Sequence, residues 1–162
     1  MNGSTATDSC SVFLAIEIMP SNQRVFVVED HATTARALKM FLETHGYDVT
    51  VAVDVASALR FAKKNTFDLL ICDLSLPDGT GWDLMKKLSA NGPIRGIAFT
   101  AFGSDEDIAQ SKKAGFMHHL VKGSGTDELL GVIDQTLNAK PDQRNSRPTA
   151  AVTLAQRARI KP

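Results

Sequence analysis

Five short apolar runs recur along the chain, at residues 25–28, 47–53, 67–72, 94–99 and 119–121. They are rich in Val, Ile, Leu and Phe, and several are apolar on successive residues. That pattern suits strands buried on both faces. Between the runs the apolar positions recur with a period of 3.6. Ala35, Leu38, Phe41 and Leu42 mark a first helix, and Val55, Ala58, Leu59 and Ala62 a second. Leu84, Met85 and Leu88 mark a third. Ile108, Ala109 and Ala114 mark a weaker fourth, and Leu129, Leu130, Ile133 and Leu137 a fifth.

The helix punctuation agrees. Thr80 with Asp83, and Ser104 with Asp107, have the spacing of an N-cap and an acid three residues later. Gly46 and Gly115 stand where helices should end. Strand and helix alternate five times, which predicts an α/β protein with a parallel sheet covered by helices on both faces.

Residues 1–10 are Ser-, Thr- and Gly-rich, and residues 1–22 read as a flexible leader. Within it, residues 11–19 are apolar except for Ser11 and Glu17 and end at Pro20. No Lys or Arg precedes them, which argues against a signal peptide. Residues 23–138 form the expected domain. Residues 139–162 read as a disordered tail, with a candidate short helix at 150–159.

Charge changes the picture only when it is divided. The 162 residues carry 18 basic and 18 acidic side chains, so the whole chain is neutral. Residues 1–137 hold 12 basic and 17 acidic groups, whereas residues 138–162 hold six and one. An acidic domain with a basic tail gives no reason to place nucleic acid on the domain. Hydrophobic residues make up 43%, enough for a core. No apolar stretch approaches the roughly 20 residues that span a bilayer. The two cysteines, Cys10 and Cys72, cannot build a disulfide framework, and the reducing cytoplasm is the expected compartment.

In an open parallel sheet, ligands bind beyond the carboxyl ends of the strands. Strand 1 ends in Glu29 and Asp30, strand 3 in Asp73, strand 4 in Thr100 and strand 5 in Lys122. Three carboxylates on one edge repel one another, by about 4 kcal/mol per pair at ~4 Å in an effective dielectric near 20. A divalent cation relieves this, and oxygen-only ligands favour Mg²⁺. Lys122 adds a second positive charge. Cation and ammonium together suit a phosphoryl group near Asp73, whose carboxylate can hold phosphate as an acyl phosphate.

The segments RVFVVED, FDLLICDLSLPDGTG, GIAFTA and HHLVKG, in this order and spacing over residues 24–138, resemble the receiver domain of two-component response regulators. The wording DLSLPDGTGWDLM is most similar to receivers attached to hybrid histidine kinases. The resemblance implies a flavodoxin-like (βα)5 fold, doubly wound, with strand order 2-1-3-4-5. It implies Asp73 as phosphoacceptor, Glu29, Asp30, Asp73 and the Ser75 carbonyl as Mg²⁺ ligands (Mn²⁺ being the alternative ion), Thr100 as the switch hydroxyl and Lys122 as the phosphoryl-pairing cation. Two positions depart from the family. Gly123 stands where proline usually follows the lysine, so a trans bond and a more mobile loop are expected. His119 stands where the switch aromatic usually lies, so the family's rotamer-flip readout is not carried over.

The implied partners are a histidine kinase or histidine phosphotransfer protein, and a downstream protein on the strand 4–helix 4–strand 5 surface. The implied activity is Mg²⁺-dependent self-phosphorylation with slow autophosphatase turnover. A docking module that uses the same fold without phosphorylation is the alternative. A phosphohydrolase is disfavoured, because such enzymes place an acid two residues beyond the nucleophile and Ser75 stands there. His118 and His119 are neighbours on a strand, point to opposite faces and cannot chelate one ion together. Trp82 is expected to pack on a helix face, and Cys72 to point into the core.

Overall fold

Strand β1 (Arg24–Val28) runs up the middle of the molecule, with β2 (Asp48–Ala52) on one side and β3 (Leu69–Cys72) on the other, both parallel to it. The computed structural model describes residues 23–139. The expectations for residues 1–22, for the tail from residue 140 and for the helix at 150–159 lie outside the described residues. Helices α1 (Ala32–Thr44) and α2 (Val55–Ala62) make the first crossovers. After β3 come two-residue strands β4 (Ser75–Leu76) and β5 (Gly79–Thr80), then α3 (Gly81–Ser89). Strand β6 (Gly96–Thr100), α4 (Asp105–Ala114), β7 (His118–Val121) and α5 (Thr126–Asn138) complete the chain of elements.

The parallel sheet has the order β2-β1-β3-β6-β7. With the five long strands counted alone, this is the expected 2-1-3-4-5, so strands 4 and 5 of the sequence are β6 and β7. The antiparallel pair β4–β5 was not foreseen. Two residues per strand are too few to carry a periodicity. Boundaries also move: Tyr47 and Phe67 pack against the two cores from loop positions, and Val53 is exposed beyond the end of β2.

Successive strand residues feed two cores, which is why the runs lack alternation. Phe26, Val28, Leu70, Cys72 and Ala98 face one core, beneath Val55 and Ala58 of α2, Leu84, Met85 and Leu88 of α3, and Ala114 of α4. Val25, Val27, Leu69, Ile71, Ile97 and Phe99 face the other, beneath Leu38 and Leu42 of α1 and Leu129 and Ile133 of α5. Each fully buried aliphatic or aromatic side chain contributes roughly 1.5–3 kcal/mol. Helix starts follow the caps. Thr80 accepts from the Asp83 amide, and Ser104 and Asp107 form a reciprocal capping box. Asp54 and Ser57 form another at the start of α2. Gly115 ends α4 at φ 108, a left-handed conformation that glycine adopts without strain.

Candidate functional site

Glu29, Asp73, Thr100 and Lys122 each stand at the carboxyl end of a long strand or just past it, Asp30 stands two residues past β1, and Ser75 opens β4. Glu29 follows β1, and its amide donates to Ala52 of β2. Asp73 follows β3, and its amide donates to Val28 of β1. The Lys122 amide donates to the Thr100 carbonyl at 2.7 Å, so β7 holds those two residues side by side. The register Cys72↔Ala98 sets Thr100 one residue beyond the level of Asp73.

Lys122 Nζ lies 2.6 Å from Asp73 Oδ2 and 2.7 Å from Glu29 Oε2. The other Asp73 oxygen, Oδ1, accepts from the amides of Leu74 (2.6 Å) and Ser75 (3.3 Å). Glu29 and Asp73 are buried, Thr100 is fully so, and Asp30 is exposed. Burial raises the Glu29 carboxyl above its ordinary value, against the opposing pull of Lys122. Burial alone would depress the Lys122 ammonium. Hydrogen bonds to Asp73 and Glu29 outweigh it and hold the group above the ordinary lysine value. Burial also pushes the Cys72 thiol up, and the charges of Asp73 and Glu29 add to this. Cys72 packs in the core, as its position on β3 implied.

Glu29, Asp30 and Asp73 each offer an oxygen, all within 4.8 Å of one another. An all-oxygen donor set of this charge fits a hard divalent cation. The loop after Asp73 is shaped by contacts that local spacing does not reveal. Asp78 turns its carboxylate onto the first two amides of α2, with Val55 N at 2.7 Å and Ala56 N at 2.8 Å. Gly81 opens α3 directly against the loop, where a Cβ would stand 2.3 Å from the Asp73 carbonyl oxygen. That site needs glycine because the backbone itself fills the space.

At the departures from the family pattern, Gly123 takes φ 103, and no cis peptide bond occurs among the described residues. His119 is held at both ring nitrogens. Nδ1 lies 2.9 Å from Ser111 Oγ of α4, and Nε2 lies 2.8 Å from the Phe102 carbonyl. Trp82 packs against the first core as expected, and its indole N–H also donates to Ser111 Oγ at 2.9 Å. Ser111 carried no signal in the sequence, being one polar residue in a polar helix.

Over residues 25–134 the sequence matches the family described as response regulator receiver domain. Response regulator ArlR of Staphylococcus saprophyticus is 30% identical over 120 residues, which cover 74% of this chain and 54% of that protein. Transcriptional regulatory protein KdpE of Mycobacterium tuberculosis is 33% identical over 134 residues, covering 82% of this chain and 55% of that one. Among solved structures, a CheY-like receiver domain protein from Methanospirillum hungatei superposes with a TM-score of 0.68 at 29% identity, covering 72% of this chain and 94% of its own. The response regulator protein TrrA of Thermotoga maritima, solved in complex with Mg²⁺-BeF, shares the fold with a TM-score of 0.66 at 24% identity, covering 71% of this chain and 99% of its own. The chain belongs to the response regulator receiver domain family. It spans about half the length of the curated relatives ArlR and KdpE.

Proposed function

We propose that this domain accepts a phosphoryl group on Asp73 from a phosphohistidine of a histidine kinase or phosphotransfer protein. The observation that carries this reading is the single ammonium of Lys122 bridging Asp73 and Glu29 beside Asp30. In the transfer, an Asp73 carboxylate oxygen forms the new O–P bond as the N–P bond of the donor breaks. The bonding pair returns to the imidazole nitrogen. Lys122 offsets charge on the phosphoryl oxygens, and the buried Thr100 hydroxyl turns toward them. Glu29, Asp30, Asp73 and the Ser75 carbonyl would hold Mg²⁺, or Mn²⁺ as the alternative, which when bound neutralises further phosphoryl charge. Water then slowly hydrolyses the acyl phosphate.

Among the described residues no helix is long and apolar enough to cross a membrane. Phe102, Ile108, Met117 and Val121 are exposed apolar residues on or beside β6, α4 and β7. They support a downstream protein partner on that surface. The wording of the Asp73 loop supports attachment to a hybrid histidine kinase.

The test is incubation with acetyl phosphate and Mg²⁺, followed by intact mass. Addition of one phosphoryl group is expected in the wild type, and none in Asp73→Asn or in excess chelator. Undiminished labelling of Asp73→Asn would overturn the assignment.

A further inference from the structure

We infer that His119 is a positioning residue for the Thr100 hydroxyl, and that it relays movement of that hydroxyl to Trp82 through hydrogen bonds. The inference rests on the phosphoacceptor reading of Asp73 and adds the route by which occupancy of the site is read.

The proton arrangement follows from the end groups. A carbonyl oxygen only accepts, so His119 Nε2, 2.8 Å from the Phe102 carbonyl, carries a hydrogen. An indole N–H only donates, so Ser111 Oγ accepts from Trp82. The hydroxyl proton of Ser111 is then free for His119 Nδ1, 2.9 Å away. The imidazole thus completes a hydrogen-bonded chain from Trp82 through Ser111 and His119 to Phe102.

The chain continues to the switch. The amide of Phe102 donates to Thr100 Oγ1 at 3.3 Å, so one residue's backbone is tied at its N–H to Thr100 and at its carbonyl to His119. Thr100 and Ser111 are buried, at 0% and 1% exposure. Both hydroxyls are withdrawn from bulk solvent, so a shift of one must be followed by its neighbour or leave a buried polar group unpaired. An aromatic ring held by packing alone can change rotamer. A ring bonded at both nitrogens, to α4 and to the loop after β6, moves with those elements instead. Turning the Thr100 hydroxyl toward a phosphoryl group therefore displaces the Phe102 backbone and, through His119 and Ser111, the indole N–H. The readout reaches the seam between α3 and α4, where Trp82 and Ser111 meet.

The chain has one tryptophan, so a ¹H–¹⁵N spectrum contains a single indole resonance. Beryllofluoride with Mg²⁺ is the probe, and ¹⁹F NMR reports its occupancy separately. In the wild type the indole resonance is expected to shift on binding. In His119→Phe and in Ser111→Ala the bound ¹⁹F signal should persist while the ligand-induced indole shift is lost. Dispersed amide spectra identify each variant as folded, and either variant alone decides. A bound ¹⁹F signal with the full indole shift in a folded variant overturns the relay, as does a bound wild type whose indole does not respond. Absence of a bound ¹⁹F signal in the wild type instead overturns the phosphoacceptor reading beneath it.

Discussion

Lys122 Nζ lies 2.6 Å from an Asp73 carboxylate oxygen, and the same ammonium also reaches Glu29. One half-buried cation thus serves two buried acids. Removing one partner of a buried pair leaves uncompensated charge in the interior. Lys122→Ala is expected to lose about 3 kcal/mol without divalent cation, the low end for such a break because the lysine is partly exposed. Mg²⁺ should then stabilise the variant more than the wild type, since it replaces the missing charge. Urea unfolding in chelator and in Mg²⁺ measures both. An unchanged midpoint in chelator would show that the bridge contributes nothing.

Gly81→Ala should damage the site without removing any functional group. Its Cβ meets the Asp73 carbonyl at 2.3 Å and Leu74 Cα at 3.0 Å, and both are backbone atoms. Relief requires the loop or the start of α3 to move. Overpacking of this kind costs about 1–3 kcal/mol. Slower labelling by acetyl phosphate should accompany the lower stability. Wild-type behaviour in both assays would mean that α3 starts with room to spare.

Asp78 stabilises a helix to which it does not belong. Its carboxylate satisfies two of the free amides at the start of α2, while Asp54 takes the amide of Ser57. Asp78→Ala is expected to cost about 1–2 kcal/mol, as for loss of a strong N-cap. Asp78→Asn keeps one acceptor oxygen and should recover about half of that. Thermal unfolding of the two variants gives the order directly, and equal melting temperatures for all three proteins would contradict it.

The acid limb of stability should depend on Asp68. Its carboxyl is held below the ordinary aspartate value, first by the Arg24 backbone amide at 2.8 Å and then by the Arg24 side chain. A lowered carboxyl stabilises the fold above its unfolded value near 3.8, and that stabilisation is lost as pH falls through the still lower folded value. Asp68→Asn should therefore be less stable near neutral pH, by about 1 kcal/mol at most for so exposed a pair. It should also lose less on descending from about pH 4. Urea midpoints at neutral and acid pH compare the slopes, and parallel curves would remove Asp68 from the account.

The cluster was legible because strand ends are legible. Glu29, Asp30, Asp73, Thr100 and Lys122 each end or follow a run of apolar residues, and a parallel sheet gathers those ends on one edge. The caps at Thr80 and Ser104 were readable because their partners lie three residues away. Asp78 was not, since Val55 and Ala56 precede it by more than twenty positions. Ser111 and His119 meet across a helix–strand contact that no periodicity announces. Strand limits at Tyr47, Val53 and Phe67 were misjudged because an apolar residue can serve the core from a loop as well as from a ladder.

The sheet order also decides which unit completes the site's charge balance. Strand β1, the first among the described residues, is central, and β3, β6 and β7 lie outward in turn on one side. Each addition needs a crossover, so every ladder waits on a closed loop of some twenty residues or more. Glu29 and Asp73 are brought together when β3 docks on β1, but Lys122 arrives only with β7, at the far edge. Without the β7 unit the two acids lack this counter-ion. The edge strand carries the neutralising charge, so docking of the final β–α unit and electrical completion of the site are one event.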